Sequence, residues 1–310
     1  MASKKYKKLL MAIDGSERSL KTVRHAAMFE PFKDMHIKLF HVFSTVPESY
    51  WDLEKVPKSV KAIKYVRAWE SQQRKEIVKY MDKARKILLA AGFSDEKVAI
   101  DIHSRKKGIA RDIIKEAHAY DLVVSRRRGL GVVRGIIMGS VATKLLQNIS
   151  FTPIVVSGRK IPNNKVLIAL DGSKASMRAV DFVGELFGGY AGKIDLLHVI
   201  RGGKNHHTGY MPLFIPENFT EKRAKEIGKV FDEARKRLVT SGFKPNQIRT
   251  DTIVGTRSRG VTIAEQAQKG DYGRIVLGRR GLSKPDDFSM GRVTYKVIQL
   301  AKDCAVWVTP

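Results

Sequence analysis

The chain contains 310 residues, of which 58 are lysine or arginine and 31 are aspartate or glutamate, so its formal net charge is +27. Its apolar content of 43% is typical of a globular protein, and its single cysteine, Cys304, excludes a disulfide framework and a cysteine-rich metal site. No apolar run approaches the ~20 residues of a membrane span, and Asp14 ends the apolar stretch after the basic N-terminus too early for a signal peptide, so we expect a cytoplasmic protein.

Short apolar runs alternate with longer segments whose apolar residues recur three and four positions apart, the pattern of strands alternating with helices. In chain order, the first half predicts a strand at Leu9–Ile13, a helix at Glu17–Phe29, a strand at Ile37–Val42, a helix at Lys61–Ala91, a strand at Val98–Ile102, a helix at Ile109–His118, a strand at Leu122–Val124, a helix at Ser140–Asn148 and a strand at Ile154–Val156.

The second half repeats this order. Its strands are predicted at Val166–Leu170, Ile194–Val199, Ile248–Val254, Ile275–Leu277 and Ala305–Val308, with a long charged helix at Glu221–Thr240. The repeat predicts two domains of one kind, residues 1–159 and 160–310. Each is expected to be an α/β domain whose parallel sheet is covered on both faces, with its ligand at the edge where the strands' carboxyl ends meet.

Asp-Gly-Ser follows the first predicted strand of each half, beginning at Asp14 and at Asp171. One interpretation is a simple strand-to-helix turn, in which glycine permits the bend and serine caps the helix. The other is a carboxylate that accepts hydrogen bonds from a ribose or a base. The sequence leaves both interpretations open.

A glycine-containing segment follows the fourth predicted strand of each half. The second half reads Gly-Arg-Arg-Gly from Gly278, then nine residues, then Gly291-Arg292. The first half reads Arg-Arg-Arg-Gly from Arg126, then nine residues, then Gly139-Ser140. A loop of this kind that runs into a helix presents backbone N–H groups to a phosphate, although glycine can also serve turns alone.

Together, these motifs resemble the universal stress protein family, and the resemblance covers nearly the whole chain twice. It implies Rossmann-like domains with five parallel strands each. ATP-binding members use the aspartate and a backbone contact in the second strand for adenosine, and the glycine loop with a Ser/Thr for the phosphates. The candidate contacts transferred to this sequence are, in the first half, Asp14, Val42, Ser125, Arg126, Gly129, Gly139, Ser140 and Val141, and in the second half, Asp171, Val199, Leu277, Gly278, Gly281, Gly291, Arg292 and Val293.

Each half departs from the motif at one position. Arg126 stands where the first half should have its opening glycine, and Arg292 stands where the second half should have Ser/Thr. These changes either weaken ATP binding or retune the site to a more anionic ligand. Further basic residues precede the third helix of each half, at Arg105–Lys107 and Arg257–Arg259. We expect them to lie beside Arg126–Arg128 and Arg279–Arg280 and to form a positively charged entrance to the predicted site.

The resemblance also implies an assembly, because family members pair through their last strands. We therefore expect the two halves to pair with each other, and a further homodimer of chains. Long loops at Phe43–Ser59 and Arg201–Pro216, which hold Tyr50, Trp51, Tyr210 and Phe214, suit a lid or an interface. The chain lacks a Ser-His-Asp order and a Walker lysine motif, and the dipeptide at His206 fits chance better than a metal site, so no catalytic or metal residues are predicted.

The sequence thus predicts a stress-response protein that binds ATP, with or without magnesium, or another adenine nucleotide, and that acts by binding rather than turnover. Two alternatives remain. The charge is spread over both halves, +16 in residues 1–159 and +11 in residues 160–310, so RNA or DNA could bind at the basic edges. A weak ATPase is the other alternative.

Overall fold

The structure is a computed structural model, and it describes residues 6–44, 60–127, 138–188, 190, 192–201, 217–256, 258–282 and 289–310. The first repeat consists of β1 (Lys8–Ala12), α1 (Glu17–Ala27), β2 (His36–Phe43), α2 (Val60–Ala90), β3 (Val98–Ser104), α3 (Ile109–Ala117), β4 (Leu122–Arg126), α4 (Ser140–Asn148) and β5 (Ile154–Ser157). The second consists of β6 (Lys165–Ala169), α5 (Lys174–Phe187), β7 (Lys193–Arg201), α6 (Glu217–Thr240), β8 (Ile248–Thr256), α7 (Arg259–Lys269), β9 (Arg274–Gly278), α8 (Arg292–Leu300) and β10 (Ala305–Thr309).

The Asp-Gly-Ser motif makes the same turn in both repeats. Gly15 and Gly172 have φ of 85° and 81°, a region that favours glycine. Ser16 and Ser173 then cap α1 and α5, and each accepts a hydrogen bond from a backbone N–H in the first helical turn at 3.1 Å. The turn therefore carries the local structural role that its sequence indicates.

All ten strands form one sheet in the order β3-β2-β1-β4-β5-β10-β9-β6-β7-β8. The strands of each repeat are parallel, whereas β5 and β10 pair antiparallel, with Val155 opposite Trp307. The expected pairing of the two repeats through their last strands is therefore present. Because the pairing is antiparallel, the carboxyl ends of β1–β5 and of β6–β10 lie at opposite edges of the sheet, and so do the two candidate sites.

Two apolar layers cover the sheet, and both run across the boundary between the repeats. Helices α1, α2, α5 and α6 pack on one face, and α3, α4, α7 and α8 pack on the other. On the first face, the ring of Phe29 lies 4.7 Å from that of Phe187 and 5.6 Å from that of Trp307, measured between centroids. The guanidinium of the buried Arg274 lies 4.6 Å from the centroid of Phe29. The repeats therefore share a core.

Cys304 is buried at the start of β10, and burial raises the pKa of its thiol to about 11. At neutral pH the thiol is therefore protonated and unreactive. In the described part of the chain, no helix combines the length and the apolar character that crossing a membrane requires.

Candidate functional site

A cavity of about 640 Å³ opens at the carboxyl edge of the second repeat. Its walls are the ends of β7 and β9, the turn after β6, and the first turns of α7 and α8. Every second-repeat residue predicted to contact a nucleotide lines this cavity: Asp171, Val199, Leu277, Gly278, Gly281, Gly291, Arg292 and Val293. Residues spread over more than a hundred positions of sequence thus meet in one place.

The Asp171 carboxylate joins the turn after β6 to the glycine loop. Oδ1 accepts a hydrogen bond from the Ser173 N–H at 3.0 Å, and Oδ2 accepts one from the Leu282 N–H at 3.1 Å. A side chain at Gly281 would collide with this carboxylate, so the close approach of the loop depends on glycine. In this structure the start of the loop, Gly281 and Leu282, lies against Asp171.

Gly278 is needed by the packing of the domain. A Cβ at this position would lie 2.7 Å from the backbone carbon of Ala175 in α5. The first repeat has Arg126 here, at the end of β4. Arg126 is half-buried; burial lowers the pKa of its guanidinium, and the nearby Asp14 carboxylate partly offsets this. The first-repeat departure thus places a cation beside the predicted adenosine-binding carboxylate.

The last helix of each repeat begins at a glycine. Gly291 precedes α8, and its N–H donates to the Arg279 carbonyl at 2.9 Å; Gly139 precedes α4, and its N–H donates to the Arg127 carbonyl at 2.8 Å. Within the described residues, neither helix has a side-chain cap at this glycine. The first-turn N–H groups of α8 therefore face the cavity and are available to an anion.

The predicted contact in the second strand lies beside a histidine with a structural role. The Nδ1–H of His198 donates to the Leu170 carbonyl at 2.7 Å, and His41 makes the equivalent bond to Ile13 at 2.9 Å. The next residue, Val199, accepts a hydrogen bond at its carbonyl from Nε of Arg259 at 3.2 Å. That carbonyl is therefore already engaged by a cation.

The cavity has a strongly positive lining. Among the described lining residues, Asp171 is the one carboxylate, whereas the cationic residues are Arg201, Arg259, Arg280, Arg292 and Lys296. Arg201 and Lys296 are not among the residues predicted from the sequence to lie at this site. Lys296 could have been found, because it lies one helical turn after Arg292 on the same side of α8. Arg201 ends β7, two positions after Val199, so alternation along the strand directs both side chains to one face.

Arg279 and Arg127 do not line the positively charged entrance that we expected these arginines to form. Both are buried at the boundary between the repeats. Nη1 of Arg279 donates to the Ile149 carbonyl at 2.7 Å, and Nη2 of Arg127 donates to the Ala301 carbonyl at 2.9 Å. The C-terminal carbonyls of a helix lack partners within the helix and carry partial negative charge, which explains why they attract these cations.

The first-repeat candidates follow the same topology but are only partly visible. Asp14 follows β1, and its Oδ1 accepts hydrogen bonds from the N–H and the hydroxyl of Ser16 at 3.0 and 2.7 Å. Its Oδ2 is buried without a hydrogen-bond partner among the described residues. Val42 is buried in β2, Ser125 is buried in β4, Ser140 is exposed at the start of α4, and Val141 follows it.

Some predicted features lie outside the described residues. They are Gly129 and the rest of the first glycine loop, Arg257, the dipeptide at His206, and the aromatic residues Tyr50, Trp51, Tyr210 and Phe214 of the two long loops. The division of the chain at residue 159 and the nucleotide contacts themselves stay predictions.

Comparisons with known proteins agree with this geometry. The model of the universal stress protein family matches residues 5–157 and again 162–310. Universal stress protein YxiE of Bacillus subtilis strain 168 is 28% identical over 145 residues, which are 44% of this chain and 93% of that protein. A universal stress protein of Mycolicibacterium smegmatis is 27% identical over 175 residues, 54% of this chain and 55% of that protein.

The fold is also known from solved structures. The crystal structure of a universal stress protein from Archaeoglobus fulgidus DSM 4304 has a TM-score of 0.66 at 16% identity, with 98% of both chains covered. Two family matches, each spanning one half of the ten-stranded sheet, confirm both the predicted family and the predicted Rossmann-like α/β fold. The chain therefore belongs to the universal stress protein family, as a member with two tandem domains.

Proposed function

We propose that this stress-response protein binds an adenine nucleotide, ATP foremost, in the second-repeat cavity. The observation that carries the proposal is that an aspartate, a glycine loop and an uncapped helix N-terminus share one cavity of about 640 Å³. This volume lies within the ~300–1,000 Å³ typical of small-molecule sites. The same three features are those that the resemblance assigns to nucleotide binding.

The two ends of the cavity suit the two ends of a nucleotide. The lining includes the apolar Leu170, Leu277 and Ile263, against which a base can pack. The Asp171 carboxylate is placed to accept hydrogen bonds from ribose hydroxyls. Because Oδ2 is already bonded to the Leu282 N–H, occupancy of this oxygen couples to opening of the glycine loop. Nucleotide binding and the position of the glycine loop would then be coupled.

The phosphates would lie at the glycine loop and α8. The first-turn N–H groups after Gly291 and the positive end of the helix dipole favour an anion there. Arg280 and Arg292 add charge, and a guanidinium can donate two parallel hydrogen bonds to a phosphate. The +27 charge of the chain would further raise the local concentration of anions.

The described lining residues favour binding over turnover. Hydrolysis needs a group that positions or deprotonates water near the terminal phosphate. Both oxygens of Asp171 accept backbone N–H groups, and Nδ1 of His198 is bonded to a carbonyl. In the described part of the lining, the remaining charged residues are arginines and a lysine, which are not bases at neutral pH. A weak ATPase is therefore the alternative that this site supports least.

The cellular setting is part of the proposal. A single, buried cysteine suits the reducing cytoplasm. The outer strands β3 and β8 each leave one backbone edge unpaired within the described sheet, and such an edge is where a homodimer could form.

The test is isothermal titration with ATP. Asp171→Ala should weaken binding about tenfold or more, because it removes a charged hydrogen-bond acceptor. The matched control is Asp251→Ala, which removes an exposed aspartate of β8 away from the cavity and should bind like wild type. Loss of binding in Asp14→Ala instead of Asp171→Ala would move the site to the first repeat. Absence of ATP binding by wild type, with salt-dependent RNA binding in its place, would overturn the proposal.

A further inference from the structure

Among the described residues that line the second-repeat cavity, there are five cations and one carboxylate. A nucleoside triphosphate carries about four negative charges, and proteins that bind one commonly compensate this charge with a magnesium ion held by a hydroxyl and a carboxylate. A magnesium ion in this cavity would need a carboxylate and a hydroxyl among the lining residues.

Among the described lining residues, Asp171 is the one carboxylate that could hold a metal ion. Asp171 accepts the Ser173 N–H at Oδ1 and the Leu282 N–H at Oδ2. In the part of the chain that the structure describes, no group of three or more histidine, cysteine, aspartate or glutamate side chains is placed to hold a metal ion. A hard cation such as magnesium prefers several oxygen ligands, and the described part of the lining supplies one carboxylate.

A cationic side chain stands at the position where the family motif has the hydroxyl of a Ser or Thr. Ser140 is the first residue of α4 in the first repeat, whereas the equivalent first residue of α8 is Arg292. An arginine cannot ligate a metal ion, and its charge repels one, but its planar guanidinium matches phosphate oxygens well. Lys296 follows one turn later, where its side chain packs against Gly260 at the start of α7.

We propose that the second repeat binds the nucleotide's polyphosphate without a divalent metal ion, because Arg280, Arg292 and Lys296 supply the positive charge that magnesium would otherwise bring. This inference rests on the proposed nucleotide site. It names the ligand as the free, fully charged triphosphate rather than its magnesium complex. Since magnesium masks two of the ligand's negative charges, it should compete with these side chains.

The experiment is titration of the full chain with ATP at constant ionic strength, once with excess EDTA and once with excess magnesium. Constant ionic strength is needed because binding to a cationic site depends on salt. We expect binding in EDTA that magnesium weakens severalfold. Binding that requires magnesium, or that magnesium tightens, would overturn this inference and leave the proposed site standing. No binding in either buffer would overturn both.

Two variants with the same substitution sharpen the result. Arg292→Ser restores the hydroxyl of the first repeat, and we expect it to lose about tenfold in affinity for ATP in EDTA, as for one charge-assisted hydrogen-bonded contact, and to bind more tightly when magnesium is added. Arg249→Ser removes an exposed arginine at the amino end of β8, outside the cavity, and should behave like wild type. An Arg292→Ser variant indistinguishable from Arg249→Ser would contradict the inference.

Discussion

Arg127 and Arg279 occupy equivalent positions in the two repeats, and each donates hydrogen bonds to the final carbonyls of the other repeat's last helix. Arg127 reaches Ala301 after α8, and Arg279 reaches Ile149 after α4 as well as Leu146 and Gln147 within it. Each arginine belongs to the segment that begins a glycine loop. The predicted nucleotide-binding edge of each repeat is thus joined to the C-terminal end of the other repeat's last helix.

The first prediction concerns stability. Arg279→Ala leaves several buried carbonyls without partners, and we expect the free energy of unfolding to fall by about 2–4 kcal/mol. Arg279→Lys should recover only part of this, because an ammonium cannot span several carbonyls as the guanidinium does. Denaturant unfolding followed by circular dichroism gives both values.

The neighbouring Arg280 provides the control for this prediction. It is exposed and lines the cavity, so Arg280→Ala should change the free energy of unfolding by less than about 0.5 kcal/mol. Equal losses in Arg279→Ala and Arg280→Ala would show that the boundary contacts contribute little.

The second prediction compares two glycines. A Cβ at Gly281 would collide with the Asp171 carboxylate, so Gly281→Ala should displace the glycine loop and weaken ATP binding, measured by titration. Gly228 lies within α6 with nothing inside 4 Å of the position of its Cβ. Gly228→Ala should leave ATP affinity unchanged and stabilise the protein by about 0.5–1 kcal/mol, because alanine favours the helix. Unchanged ATP affinity in both variants would argue against a role in ATP binding for the close contact between Gly281 and Asp171.

The third prediction is a pH dependence. Burial lowers the pKa of His41, whose Nδ1–H donates to Ile13, and burial also lowers the pKa of His25. The unfolded chain therefore takes up protons near its ordinary histidine pKa of about 6.5, while the folded protein resists protonation. The free energy of unfolding should fall as the pH drops from 7 to 5, by at most about 1.4 kcal/mol per pH unit for each proton taken up.

A substitution isolates the contribution of His41 to this pH dependence of stability. His41→Asn keeps a donor near the Ile13 carbonyl but does not titrate, so its stability should vary less between pH 7 and pH 5. His36→Asn, at the exposed start of β2, is the matched control and should retain the wild-type variation. If both variants retain the wild-type variation in stability between pH 7 and pH 5, groups other than His41 cause it.

The fold was largely predictable because apolar periodicity reports burial directly. The differences lie at element ends: β7 continues to Arg201 and α6 begins at Glu217, since backbone hydrogen bonds extend past the apolar residues that define the pattern. The pairing of β5 with β10 came from the family resemblance. Periodicity alone carries no information on which edges meet.

The site was predictable in position but not in its charges. The predicted strand ends and the glycines placed Asp171 and Gly291 at the same edge of the sheet, because the carboxyl ends of parallel strands lie at one edge. The sequence could not separate Arg279 from Arg280, although they are adjacent, because one points to the other repeat and its neighbour to the cavity. That difference depends on packing between elements far apart in the chain.

The last prediction tests the shared core. Phe29 belongs to the first repeat, but its ring packs on Phe187, Trp307 and the guanidinium of Arg274, all in the second. Phe29→Ala should lower the free energy of unfolding by about 3–5 kcal/mol, since it opens a cavity in a core common to both repeats. Phe151→Ala is the control, because that ring is 41% exposed, and it should cost much less. If the two variants are equally stable, the repeats do not depend on each other through this contact. If Phe29→Ala also splits the unfolding transition into two steps, the aromatic contacts are what make the two repeats unfold as one unit.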